Sequence, residues 1–204
     1  MYPVIAQAAG LLGSVAIRNV ATIGGNLANA APSADTAPAL VGLSARAKIV
    51  GPNGERLIPL KDLFAGPGET VLTTGELLVE IQVPVPLPGT NGVYLKHSRS
   101  TVDLAVVGVA AIMVLGKDNV CTDIKIVLGA VAPTPIIART AEEILVGKRV
   151  DKALIKKSAQ AAAYEAKPIA DLRASAEYRR EVTRVLAMRA IKEAMARCLR
   201  CGFR

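Results

Sequence analysis

The stretch Ala21-Thr22-Ile23-Gly24-Gly25-Asn26-Leu27-Ala28-Asn29-Ala30-Ala31-Pro32-Ser33-Ala34-Asp35 is where the chemistry of this chain concentrates. Two adjacent glycines between Thr22 and Asn26, with a second polar corner at Pro32 to Asp35, predict a tight backbone turn followed by a capped helix. Lacking a Cβ, glycine lets the main chain take positive φ and approach a ligand closely. Successive N–H groups in such a turn form a concave nest for anionic oxygens, and Thr22 and Asn26 can add side-chain hydrogen bonds. That chemistry suits a nucleotide pyrophosphate. A Gly-Gly pair by itself is most often only a turn, so the reading depends on the rest of the chain.

Working outward, 204 residues suffice for one generous domain or two small ones. With six aromatic residues and no Trp, the core must be built from Ala, Val, Leu and Ile. The net charge of +8 is unevenly placed: residues 1–90 hold five basic against six acidic residues, residues 91–204 twenty against eleven. The shift argues for two parts. A basic half invites a nucleic-acid reading, but its cations alternate with acids and apolar residues at helical spacing, and no aromatics are interleaved to stack on bases. A solvated helix face or a surface for an acidic partner subunit fits better, and no nucleic-acid partner is expected. The longest apolar run, Leu104 to Leu115, is well short of the roughly twenty residues a membrane helix needs. The apolar start lacks the basic region of a signal peptide, so a soluble, cytoplasmic protein without membrane insertion is expected. Cys198 and Cys201 form a C-x-x-C near the C-terminus. A zinc site wants four ligands, so the pair reads as exposed tail cysteines and no metal site is expected.

Along the chain, residues 3–13 predict a short helix weakened by Gly10 and Gly13, and Arg18 is placed to meet an anion or a carboxylate. After the Gly-Gly turn, Ser33 or Asp35 caps a helix running to about Leu43. Ala45 to Val50 and Glu55 to Pro59 form a hairpin around Gly51-Pro52-Asn53-Gly54. Lys61 to Phe64 makes a short helix, and Glu76 to Val83 is a strand that Pro84, Pro86 and Pro88 end. The proline-rich run to Gly92 is the domain boundary. Beyond it, Val93 to His97, Ala105 to Leu115 and Val120 to Val131 form an antiparallel three-stranded meander. Helices follow at Ala141 to Val146, Lys152 to Ala166 and about Ala176 to Cys198. In the last, Val182, Val185, Leu186, Met188, Ile191 and Met195 make one apolar face, with the arginines opposite.

The order of these parts carries more than any one of them. Arg18 to Asn26, the corner Pro32-Ser33-Ala34-Asp35, the strand Glu76-Leu77-Leu78-Val79-Glu80-Ile81, the segment Tyr94-Leu95-Lys96 and the segment Ala174 to Arg180 occur in sequence. Together they resemble the medium, FAD-binding subunit of the molybdenum hydroxylases, the xanthine dehydrogenase and carbon monoxide dehydrogenase group.

The resemblance implies an α+β fold: residues 1–84 as the second lobe of a vanillyl-alcohol-oxidase/PCMH-type FAD-binding domain, and residues 90–198 as a C-terminal domain of three antiparallel strands with a helical bundle. It implies that Thr22, Ile23, Gly24, Gly25 and Asn26 contact the FAD pyrophosphate and adjoining parts, and that Asp35 also binds the cofactor. Leu78 then falls where a strand residue meets the flavin region, and Lys96 where a lysine lies near the isoalloxazine. Tyr178-Arg179-Arg180 is assigned to packing. No catalytic residue is implied. Electrons would pass from a large subunit with molybdopterin, through 2Fe-2S centres on a small subunit, to FAD and on to an external acceptor. The family carries a further lobe ahead of this loop, whereas twenty-one residues precede Thr22 here. The expectation is therefore weak flavin binding by the chain alone, with a non-catalytic remnant or assembly module as the alternative function.

Overall fold

The apolar run at 104–115 is the strand on which the other layers rest. The computed structural model describes residues 2–201, apart from the side chains of Lys117 and Cys201. A four-stranded antiparallel sheet has the order β6 (Thr90–His97), β7 (Val107–Leu115), β8 (Cys121–Gly129), β9 (Ile136–Ile137). The meander is thus one short strand larger than the three expected. On β7, Val107, Val109, Ala111 and Met113 face one core, together with Ile124, Ile126 and Leu128 of β8. Ala110 and Ile112 face another, together with Tyr94 and Val127. A strand covered on both faces reads as an uninterrupted apolar run, which is why the sequence shows no alternation there. No helix of the described residues is long and apolar enough to cross a membrane.

One face of this sheet is covered by α5 (Arg139–Leu145), α6 (Lys152–Glu165) and α7 (Ala176–Cys201), the other by the N-terminal helices. Those are α1 (Pro3–Gly10), α2 (Val15–Val20), α3 (Ile23–Ala28) and α4 (Thr36–Gly42); α1 packs on β6, and α4 on β7 and β8. A second sheet, in the order β2 (Gly54–Pro59), β1 (Arg46–Gly51), β5 (Leu77–Gln82), lies beside them, and α3 rests against β5. Its hairpin closes at Gly51–Gly54 as expected, with Gly54 at φ 109°. Leu60–Leu63 form a single 3-10 turn, and β3 (Phe64–Gly66) pairs with β4 (Glu69–Thr70).

The inward side of α7 differs from the expected one. Ala187, Ala190, Ile191 and Ala194 are fully buried with Leu186, whereas Val182, Met188 and Met195 sit at its margin. Alanine lets the helix lie close on the sheet, and the larger residues close the edges. Nor do all the arginines face outward. Arg179, 3% exposed, donates through Nη1 to the Val106 carbonyl at 2.7 Å and the Ala130 carbonyl at 3.1 Å, and through Nη2 to Asp171 at 2.7 Å. The Arg173 backbone N–H, and then this guanidinium, hold the Asp171 carboxyl at a pKa of about 2. Its Nε is buried without a partner. Cys198 is not an exposed tail residue: it is buried in the core, with its thiol donating to the Met113 carbonyl. The side chain of Cys201 lies outside the described residues, and no group of metal-ligating side chains occurs among those described.

Gly108 shows how tightly the two cores press on the shared sheet. A Cβ there would stand 2.6 Å from the hydroxyl of the fully buried Tyr94. We expect Gly108→Ala to lower the unfolding free energy by about 1–3 kcal/mol in urea titrations, the usual cost of overpacking. Substituting Tyr94→Phe in the same chain should make the two changes less than additive.

Candidate functional site

The stretch that opened the sequence reading folds differently from the nest it predicted. Neither Gly24 nor Gly25 has positive φ; both lie within α3. Thr22 is extended, at φ −118° and ψ 154°, and caps the helix by accepting the Gly25 N–H on Oγ1 at 2.9 Å. The Asn26 N–H closes on the Thr22 carbonyl at 3.0 Å. This leaves the N–H groups of Ile23 and Gly24, in the first turn, with no intrahelical acceptor. The glycines supply bare surface. A Cβ on Gly24 would meet no protein atom, and one on Gly25 would meet only Thr22 Oγ1, at 3.0 Å. A ligand can therefore reach the main chain at the positive end of α3.

This end opens on a cavity of about 270 Å³ lined by Ala9, Gly10, Leu12, Arg18, Ala21, Thr22, Ile23 and Thr36. The lining contains no carboxylate. Arg18 lines this cavity without a carboxylate partner, and its Nη1 donates to the Leu12 and Gly13 carbonyls at 2.9 and 2.8 Å and pins the turn after α1. Thr36 carried no sequence signal beyond its place after Asp35. Its hydroxyl donates to Asn26 Oδ1 at 2.6 Å and brings α4 against α3.

Asp35 and Lys96, 61 positions apart, meet beneath this cavity. Asp35 does not cap α4 with its side chain. Its carboxylate accepts the Tyr94 hydroxyl at 2.9 Å on one oxygen and Lys96 Nζ at 2.9 Å on the other, and Nζ also donates to the Leu11 carbonyl at 3.0 Å. The side chains of the ion pair are only 4% and 5% exposed. Burial raises the Asp35 carboxyl above its usual range, opposed by the Lys96 ammonium and by the Tyr94 hydroxyl. Burial and the neighbouring carboxylate push the Tyr94 phenol well up. Lys96 is thus not an open charge held toward solvent. It is committed to Asp35 and Leu11. Leu78 is half-buried on β5 against the N-terminal core, next to the exposed Leu77 and Val79. His97 leaves the cluster, with Nε2 3.1 Å from the Tyr178 hydroxyl.

Comparison with known proteins places this geometry. Residues 1–86 match the family described as the FAD binding domain in molybdopterin dehydrogenase, and residues 93–194 the CO dehydrogenase flavoprotein C-terminal domain. The chain is similar to the glyceraldehyde dehydrogenase medium chain of Sulfolobus acidocaldarius, 37% identical over 94% of this chain and 67% of that one. It is 30% identical to the xanthine dehydrogenase FAD-binding subunit of Escherichia coli O157:H7, over 95% and 67%. Carbon monoxide dehydrogenase from Hydrogenophaga pseudoflava superposes with a TM-score of 0.92 at 36% identity, covering 96% of this chain and 68% of that one. The chain spans about two thirds of the length of these relatives. The class defined by fold and site is the FAD-binding flavoprotein component of molybdenum-containing oxidoreductases. The chain belongs to the medium-subunit family of carbon monoxide and xanthine dehydrogenases.

The residues present fit part of such a cofactor. Two unpaired main-chain donors, a bare glycine face and an acid-free cavity suit an anionic diphosphate. Asp35 and Lys96 fit as a neutralised pair that supports α4. Removing Lys96 leaves a buried carboxylate without its counter-charge, so Lys96→Met should cost about 3–5 kcal/mol of unfolding free energy. The remaining Asp35 should then rise further above 3.8. A folded state that keeps a proton the unfolded chain releases gains stability as pH falls, so the variant should lose stability as pH climbs above 3.8. Urea unfolding across pH checks this, and adding Asp35→Asn should flatten the dependence.

Proposed function

We propose that the start of α3, from Thr22 to Asn26, holds the diphosphate of FAD, and that the chain is the flavin-bearing electron-transfer component of a molybdenum hydroxylase complex. The observation that carries this is Gly24, whose missing side chain faces open space beside the unpaired N–H groups. Thr22 caps the helix and keeps those donors aligned, while Ile23 and Leu12 wall the cavity with apolar surface. Asn26 contributes its carboxamide. Asp35 and Lys96 act one layer below, fixing α4 against β6 and the end of α1. Leu78 sits on the strand that supports α3, and we assign it to the flavin end of the cofactor. Bound there, FAD supplies the capacity to take up electrons and release them to a further acceptor. In this reading residues 1–84 form the flavin lobe and residues 90–198 the C-terminal domain.

The partners follow from the same reading: a large subunit with molybdopterin and a small subunit with 2Fe-2S centres. Val15, Ile17 and Val20 on α2 and Leu77 and Val79 on the edge strand β5 are exposed apolar residues, and we assign them to contacts within the assembled protein.

Gly24→Val separates the site from the scaffold, since a Cβ there would have open space around it. We expect FAD fluorescence titrations to show loss of binding in this variant and binding weakened about tenfold in Asn26→Ala, the effect of one net hydrogen bond, while thermal unfolding of Gly24→Val stays close to that of the unaltered protein. Undiminished FAD affinity in both variants refutes the assignment.

A further inference from the structure

Thr36 is the first residue of α4 and is 1% exposed, so its hydroxyl must find its partner inside the protein. The usual internal acceptor for a helical threonine is the carbonyl four residues back. Here that oxygen, on Pro32, lies outside the helix and takes the Ala130 N–H at 2.8 Å. The Thr36 proton goes instead to Asn26 Oδ1, at 2.6 Å. Residue 36 is itself held from the preceding position, where Asp35 accepts Tyr94 and Lys96, each at 2.9 Å.

We propose that Thr36 is a positioning residue for the FAD site: it ties down the carbonyl oxygen of the Asn26 carboxamide and so leaves the Nδ2 amino group to donate to the cofactor. The inference rests on the flavin reading of α3 and deepens it. A carboxamide has a donor end and an acceptor end. Turned one way, Asn26 meets an anionic diphosphate with two N–H groups; turned the other, it meets the same anion with a carbonyl oxygen. The two orientations are nearly equal in shape and opposite in electrostatic sign, and the Thr36 hydroxyl, whose proton sits on Oδ1, favours the first. Thr36 also lines the cavity, and Thr36→Val keeps its branched shape while removing the hydroxyl that fixes the amide.

Two measurements test this in the flavin-free 204-residue chain. The first needs no cofactor: selective 15N labelling of asparagine, with the Asn26 side-chain N–H pair assigned from its disappearance in Asn26→Ala. The pair should be dispersed in the unaltered protein and in Thr36→Ser, and should collapse toward the position of a free amide in Thr36→Val. A pair already averaged in the unaltered protein overturns the inference. The second is titration with FAD. Thr36→Val should weaken binding about tenfold, the effect of one net hydrogen bond, while Thr36→Ser stays near the unaltered affinity. In an Asn26→Ala background, Thr36→Val should add nothing, because the amide it orients is gone. Unchanged affinity in Thr36→Val, or the same loss with and without Asn26, overturns the inference while leaving the loop in place. Failure of Asn26→Ala and Gly24→Val to weaken FAD binding overturns the loop assignment instead, and the amide pair then still shows whether the Thr36 contact exists.

Discussion

A carboxylate with 5% of its side chain exposed must be compensated, and the way Asp35 is compensated ties the N-terminal helices to the sheet. Its two oxygens take one proton from Tyr94 and one from Lys96, both on β6, and Lys96 then reaches the carbonyl of Leu11 just past α1. One charge thus joins α4, β6 and the end of α1. Tyr94 and Lys96 are two apart on β6 and therefore point to the same side of the sheet. The tyrosine hydroxyl in turn needs the space left by Gly108 on β7. Breaking any member leaves another polar group buried without its partner, which gives this arrangement its rigidity.

Much of this architecture was legible in the sequence, and the part that was not shares one cause. The hairpin at Gly51–Gly54, the strands β5 to β8 and the three C-terminal helices follow from period and punctuation, which are local. Asp35 and Lys96 could be placed at the site only through a family resemblance. Their pairing across 61 positions has no local signature. The same holds for Arg179, whose partners at Val106, Ala130 and Asp171 lie on three separate segments. The six-residue α3 and α2 are too short for an apolar period to show, so Thr22-Ile23-Gly24-Gly25-Asn26 read as a turn with positive φ. A capped helix start and a nest nonetheless share one property, main-chain N–H groups without an internal acceptor. On α7 the burial falls on alanines and Cys198, residues that a hydrophobic count weighs too lightly.

The two-faced burial of β7 explains why the proline-rich run at 84–92 marks a change of composition but not a clean break in packing. Ala110 and Ile112 belong to the core beneath the N-terminal helices, and Val109 and Ala111 to the core beneath α7. A displacement of this strand would reach both. The cation-rich C-terminal segment and the near-neutral N-terminal one therefore share a single central layer.

The site offers a ligand one cation and several neutral donors. Lys96 is spent on Asp35 and Leu11, while Arg18, pinned by the carbonyls of Leu12 and Gly13, lines the cavity near main-chain N–H, a threonine cap and bare glycine. Neutral donors of this kind discriminate by direction more than by charge, since each contributes only when its N–H points at the ligand oxygen. Attraction would tolerate a loosely held loop, whereas direction does not. That places the demand on the scaffold: the Thr22 cap sets the helix, the buried Asp35 cluster sets α4, and Thr36 joins the two through Asn26. The residues that never reach the ligand are then as necessary to the site as those that do.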